Sequence, residues 1–193
     1  VDCPRTQLYG WNLSRCHYQR AETIPMFPDM PDFDEKDKAN LVDHFFAEIN
    51  HLFALLHESV FREQLRLFLQ LNSQPLPKTN RAALFLTILA LVYALSIRFT
   101  EFMKVKGPNM ENLTTEDRLF KYAFRMLLIF SVEWESFEIV QGWQLATLCL
   151  RISHKQSSFS NTLSQAINMV KLMGLGRFVA KSSDHHTYEI LKA

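Results

Sequence analysis

Three residues near the start of the patterned part of this chain carry the types and spacing of a metal site. His44, Glu48 and His51 fall at i, i+4 and i+7, which on an α-helix brings all three side chains to one face. That face lies opposite the apolar stripe of Phe45, Ile49 and Leu52, so a solvated polar face is the simpler reading. His185 and His186 could bind a metal weakly, but they sit in a polar tail. Glu133, Glu135 and Glu138 supply the groups of a general acid/base pair, yet their place between two helical patterns reads as a solvated turn. Cys3, Cys16 and Cys149 are odd in number and widely spaced. They fit a reducing compartment, a Cys3–Cys16 disulfide is unsupported, and no Cys-x-x-Cys pair offers a zinc site. No Gly-x-Ser-x-Gly elbow, Gly-x-x-x-x-Gly-Lys loop or Gly-x-Gly-x-x-Gly turn is present. Gly174-Leu175-Gly176 closes a helix instead of opening one after a strand, unlike a dinucleotide loop. No catalytic, cofactor-binding or metal-ligating residue is assigned, and the expectation is a chain that is not an enzyme.

The elements that would position such groups are helical throughout. Residues 1–33 hold Pro4, Pro25, Pro28 and Pro31 without a sustained period and read as an extended lead-in. From Asp34 onward the apolar residues recur at helical spacing. Val42, Phe45, Phe46, Ile49, Leu52, Phe53 and Leu56 form one stripe. Ser59 is placed to cap a second helix with the face Phe61, Leu65, Phe68 and Leu69, and Gln74-Pro75-Leu76-Pro77 breaks it. An apolar helix from about Asn80 to Lys104 follows and stops before Gly107-Pro108. Thr114 or Thr115 is expected to cap the next, with Leu119, Tyr122, Ala123, Met126, Leu127 and Phe130 inward. Another runs from about Ser136 to His154, with Ile139, Trp143, Ala146 and Leu150 on one face. The last holds Leu163, Ala166, Ile167, Val170 and Met173, with Gly174 at the left-handed C-terminal position. The prediction is an all-α stack of about six helices over 34–178, followed by a polar tail over 179–193.

Composition narrows the classes further. Hydrophobic residues make up 48% of the 193, with sixteen Phe against five Gly, which belongs to a packed helical globule. Lys plus Arg is 21 against 20 Asp plus Glu, a net charge of +1. So even a balance gives no footprint for DNA or RNA, whose binding needs clustered cations. Ala82 to Ile97 is almost continuously apolar, but sixteen helical residues reach only about 24 Å against a bilayer core of about 30 Å. A buried core helix and no membrane are expected. The chain opens on Val with no signal-like segment after it, and is expected to be an excerpt of a longer protein.

One segment carries a more specific signal. Phe45-Phe46 is followed by Asn50-His51-Leu52-Phe53-Ala54-Leu55-Leu56-His57-Glu58-Ser59-Val60-Phe61. This resembles the start of the regulatory middle homology domain of fungal zinc-cluster transcription factors: Tyr/Phe-Phe, then roughly Asn/His-x-x-Phe-Pro-Leu-Leu-His-x-Pro-Thr-Phe. Two further stretches are similar to that family in the same order. Phe137 to Ala146, with Val140-Gln141, resembles its Ser-x-x-x-Val-Gln-Ala-Leu-Leu-Leu helix. Ala166 to Arg177, with Gly174, Leu175 and Arg177, resembles its helix ending in Leu-Gly-Leu-His-Arg. The chain departs from the pattern at Ala54 and Ser59, where the family has proline, and at Gly176, where it has histidine. An Arg-rich segment expected downstream does not appear before Ala193. The resemblance thus covers the first half of the domain.

The resemblance implies a regulatory, non-catalytic domain acting in the nucleus. DNA would be bound only by the full-length protein, through an upstream six-cysteine module that also holds the zinc. This segment itself would carry no cofactor. Its partners would be a small apolar effector or a transcriptional co-regulator, acting through a shift in helix packing. Physically the motif residues read as packing: Leu55 and Leu56 plug a helix junction, and the Gln141 amide bonds neighbouring backbone. His57 fits a structural hydrogen bond or the helix entry better than contact with a ligand. The rival is a plain α-helical interaction scaffold without a DNA-binding module. An all-α enzyme of the isoprenoid-synthase or oxygenase type would need Asp-rich motifs or paired Glu-x-x-His ligands, and neither is present.

Overall fold

The central feature of the structure, a computed structural model, is the apolar helix that the sequence placed after residue 80. Residues 30, 35–71, 80–103, 109–133 and 136–174 are described. The first rod comprises α1 (Glu35–His44), a π-helical turn (Phe45–Asn50) and α2 (His51–Phe53), which run on from one another. It is followed by α3 (Glu58–Leu71), α4 (Asn80–Phe102), α5 (Met110–Glu133), α6 (Phe137–Ile152) and α7 (Gln156–Leu172). Among the described residues this makes an all-α stack without strands.

α4 is buried on every side from Thr87 to Ile97. The first rod, α5 and α6 surround it, and α7 packs outside α6. The helix extends beyond its sixteen-residue apolar run, as expected: 23 residues reach about 35 Å at about 1.5 Å each, enough to cross a bilayer. Length therefore does not decide its environment. In this fold 72% of its most apolar window lies inside protein. Its polar side chains are satisfied locally. Thr87 donates to the Ala83 carbonyl at 2.8 Å, and Ser96 donates across to the Leu41 carbonyl of α1 at 2.7 Å.

The inward face of α5 is the expected one, with Leu119, Tyr122, Ala123, Met126, Leu127 and Phe130 all buried. Its start differs from the expectation. Asn109 caps the helix, accepting from the Glu111 amide at 3.0 Å, and the buried Glu101 carboxylate accepts from the Asn109 amide and the Asn112 side chain, both at 2.6 Å. Thr114 and Thr115 lie inside the helix and donate back to the Met110 and Glu111 carbonyls. In α6 Ser136 is the cap, accepting from the Ile139 amide at 3.3 Å. Gly142 sits where α6 crosses α5: a Cβ there would stand 2.5 Å from Leu127 Cδ2. Beside it the Trp143 indole donates to Ser131 at 2.7 Å and meets Phe124 edge-on.

The expected face of α7 is rotated. Thr162, Ala166 and Met169 are buried, whereas Leu163 and Ile167 are exposed. Thr162 can face inward because its hydroxyl is spent on the Ser158 carbonyl at 2.7 Å, leaving the methyl to pack. Gly174 has φ 69°, the left-handed C-terminal residue the sequence called for. The Pro-rich break after α3, Gly107-Pro108, the lead-in apart from Met30, and the tail lie outside the described residues.

Candidate functional site

The motif residues near the start of the domain meet at one place, the joint between α2 and α3. In the π turn, with its wider i→i+5 winding, Phe45, Phe46 and Ile49 all point inward and are buried. Phe45 and Phe46 themselves meet edge to face at 5.2 Å. The wider turn also ends the simple helical register. Leu52 and Phe53, expected on the buried stripe, are instead 59% and 49% exposed. The chain then reverses at Ala54, whose φ of 48° and ψ of 45° are left-handed, with its amide donating to the Asn50 carbonyl at 2.6 Å.

Asn50 holds the reversal together. Its Oδ1 accepts from the amides of Leu55 at 3.0 Å and Leu56 at 2.9 Å. Its Nδ2 donates to the Leu56 carbonyl at 2.9 Å. The free Leu55 carbonyl accepts from Gln141 Nε2 on α6 at 3.3 Å, a contact between residues 86 apart in sequence. Leu56 is buried and Leu55 half-buried against the core, the plug expected for this pair. His57 is exposed, and its Nδ1 lies 3.0 Å from the Ser59 hydroxyl. α3 begins at Glu58, so Ser59 falls inside the helix and is not its cap. Phe61, the last residue of the motif, is buried between Phe46 and Phe85 at 5.4 and 5.5 Å.

The other motif residues lie away from this joint. Val140 and Ala166 are buried core positions on α6 and α7, Gly174 ends α7, and Leu175 and Arg177 lie outside the described residues. His44, Glu48 and His51 do not form a site. The π turn separates them: Glu48 and His51 are exposed, while His44 is half-buried with its ring edge-on to Phe99 at 6.1 Å. Glu138 is half-exposed, and the side chains of Glu133 and Glu135 lie outside the described set. His185 and His186 do too, as do Cys3 and Cys16. No three His, Cys, Asp or Glu gather as a metal site among the described residues.

A second polar cluster had no signal in the sequence, because its members lie far apart along the chain and meet only when α4, α5 and α6 pack. Arg98 of α4 pairs with Glu116 of α5 beneath the α6–α7 turn, in a cleft also lined by Cys149, Ser153 and Lys155. Glu116 is almost wholly buried. Burial raises its pKa, more strongly than the Arg98 guanidinium lowers it. Cys149 is fully buried, and its thiol is pushed well above its ordinary range by that burial and then by the Glu116 charge, which leaves it a poor nucleophile. The cleft has room for about one water molecule, some 10 Å³.

Comparison with known proteins places this architecture. The family model of the fungal specific transcription factor domain matches residues 42–192. The chain belongs to that family. It is also similar to the probable transcriptional regulatory protein STB4 of Saccharomyces cerevisiae, 31% identical over 223 aligned residues that take in 98% of this chain and 23% of STB4. The chain thus spans about a quarter of the length of that curated relative. No solved structure matches it significantly. The family assignment and this relative support a role in the regulation of transcription.

Proposed function

We propose that this chain is a regulatory, non-catalytic domain of a zinc-cluster transcription factor that acts in the nucleus. DNA contact and zinc would belong to a separate module of the full-length protein, in keeping with the net charge of +1 here. The observation that carries the reading is the family match over residues 42–192, together with what its motif residues do. Asn50, Leu55, Leu56 and Gln141 are all engaged in tying two helical units together. Such a joint does no chemistry, but it sets how the first rod and α3 sit on the core. Regulation would then act by shifting the population of two packings. The Arg98–Glu116 cleft, with room for about one water molecule, is itself too small for an organic effector, whose pockets run to about 300–1,000 Å³.

The test is to fuse the 193-residue chain to an unrelated DNA-binding domain and measure transcription from a reporter carrying its site. A several-fold change in output relative to the DNA-binding domain alone, at equal protein level, is the expected result. Output equal to that of the DNA-binding domain alone would sink the regulatory reading.

A further inference from the structure

We propose that α3 is the movable element of this domain: a helix hinged at His57 that releases from the core as a unit, with Gln141 bolting the fixed side of the hinge. The proposal rests on the regulatory reading above and names the part that would switch.

Two observations set α3 apart. The closest approaches between helix backbones are those of α4 with α5, α6 with α7, and α4 with α6, whereas among the described helices α3 runs close to no other over any length. It is held off by large side chains. Of its described residues from Glu58 to Gln70, Phe61 is buried, Leu65 and Phe68 are half-buried, and the rest are exposed. α6, of similar length, buries Ile139, Val140, Trp143, Leu145, Ala146 and Cys149 among others. Elements with few buried apolar groups are the ones that open locally.

The attachment of α3 also has the form of a separable seam. Phe61 lies between Phe46 and Phe85, and Phe68 meets Phe85 at 5.4 Å. Arg62 reaches back to α1, its guanidinium 2.9 Å from Asp43 and 5.3 Å from the centre of the Phe46 ring. Within α3, Arg62 pairs with Glu58 and Arg66 with Glu63 at helical spacing, which supports the helix from within when it swings away. On the upstream side the chain is pinned through Leu56 by Asn50, and at Leu55 by Gln141. His57, exposed and bonded to Ser59, is therefore where motion can begin. Gln141 joins that pinned side to α6, so a change in the packing of α6 reaches the hinge directly.

Amide hydrogen exchange on the 193-residue chain tests this, read segment by segment by mass spectrometry. Amides of residues 62–71 are expected to exchange at least tenfold faster than those in the middle of α4 and α6. Arg62→Ala, a surface change, should accelerate α3 a further severalfold and leave α4 and α6 unchanged. Gln141→Ala should accelerate residues 54–71 roughly fivefold, the equivalent of one hydrogen bond. Equal protection of α3 and α4, or acceleration of every helix alike by Arg62→Ala, would overturn the proposal. In the reporter fusion, Arg62→Ala should shift output away from that of the unaltered fusion. An active fusion whose output Arg62→Ala leaves alone would overturn the switch role while leaving the regulatory reading standing. An inactive fusion would remove the reading itself, while the exchange data would still report the motion.

Discussion

Replacing Asn50 by alanine should cost more than any other polar change near the α2–α3 joint. The side chain makes three hydrogen bonds, all to the backbone of Leu55 and Leu56. At about 1 kcal/mol net for each the loss is about 3 kcal/mol. The better helix propensity of alanine returns about 0.5 kcal/mol, leaving about 2.5 kcal/mol. For a chain of this size that lowers Tm by roughly 5–10 °C. Asn50→Asp keeps both acceptor bonds, loses the donor to the Leu56 carbonyl and sets a carboxylate against it. Its loss should fall below that of alanine, at roughly 1–2 kcal/mol. The assay is urea unfolding followed by the helical circular dichroism signal, with the slope m expected to stay constant because the surface exposed on unfolding does not change. Gln141 acts on the same loop, so Asn50→Ala and Gln141→Ala together should cost less than the sum of the two. If Asn50→Ala moves the midpoint by the equivalent of less than about 0.5 kcal/mol, a size ordinary for surface changes, the clip does not hold the joint and the argument built on it fails.

Three other changes probe separate parts of the structure. Ala54→Pro should destabilise by about 3 kcal/mol or more, since proline cannot adopt φ 48° and removes the amide that bonds Asn50; Ala54→Gly should be neutral or stabilising by up to about 1 kcal/mol. Both are read by thermal unfolding, and a neutral proline would show that the turn is not left-handed. Gly142→Ala should cost about 1–2 kcal/mol, because overpacking against the buried Leu127 outweighs the gain in helix propensity; shortening Leu127 in the same chain should recover part of the loss. Glu116 has a folded-state pKa raised by burial, so its contribution to stability is full below its unfolded pKa and is lost as pH rises through the folded one. The stability difference between wild type and Glu116→Gln should therefore move in favour of wild type as pH falls from 7 towards 4.5, and a difference that does not vary with pH would refute the buried carboxylate.

Much of the fold was legible because periodicity reports burial directly. The α5 face from Leu119 to Phe130 and the α6 face around Trp143 could be read from apolar spacing alone, as could Gly174 at the end of α7. The failures have physical causes that spacing does not encode. A π turn adds to the residues per turn, so the stripe extrapolated through Leu52 and Phe53 leaves the core. A threonine that bonds its own helix can face inward, so Thr162 displaces Leu163 from the buried side of α7. The cap of α5 was misplaced at Thr114 or Thr115 because Asn109 lies just beyond Gly107-Pro108, where a loop looked sufficient. The Arg98–Glu116 pair was invisible because its members are 18 residues apart and come together only when α4 and α5 pack.

The joint shows why the order and spacing of separate motifs told more than any one of them. As sequence, the stretch from Asn50 to His57 and the Val140-Gln141 pair are two independent likenesses. In the structure they are one object: Asn50 shapes the Leu55-Leu56 turn so that the Leu55 carbonyl is left facing α6, and Gln141 is the side chain that meets it. A turn with that carbonyl uncovered would hold an unpaired acceptor in a half-buried place, at a cost of about 1–3 kcal/mol. A glutamine at 141 without the turn would be a polar group set among Ile139, Val140, Gly142 and Trp143, which are buried. Each residue is reasonable only in the presence of the other. The departure at Ala54 belongs to the same object. A left-handed residue makes the reversal here, a geometry that proline cannot take.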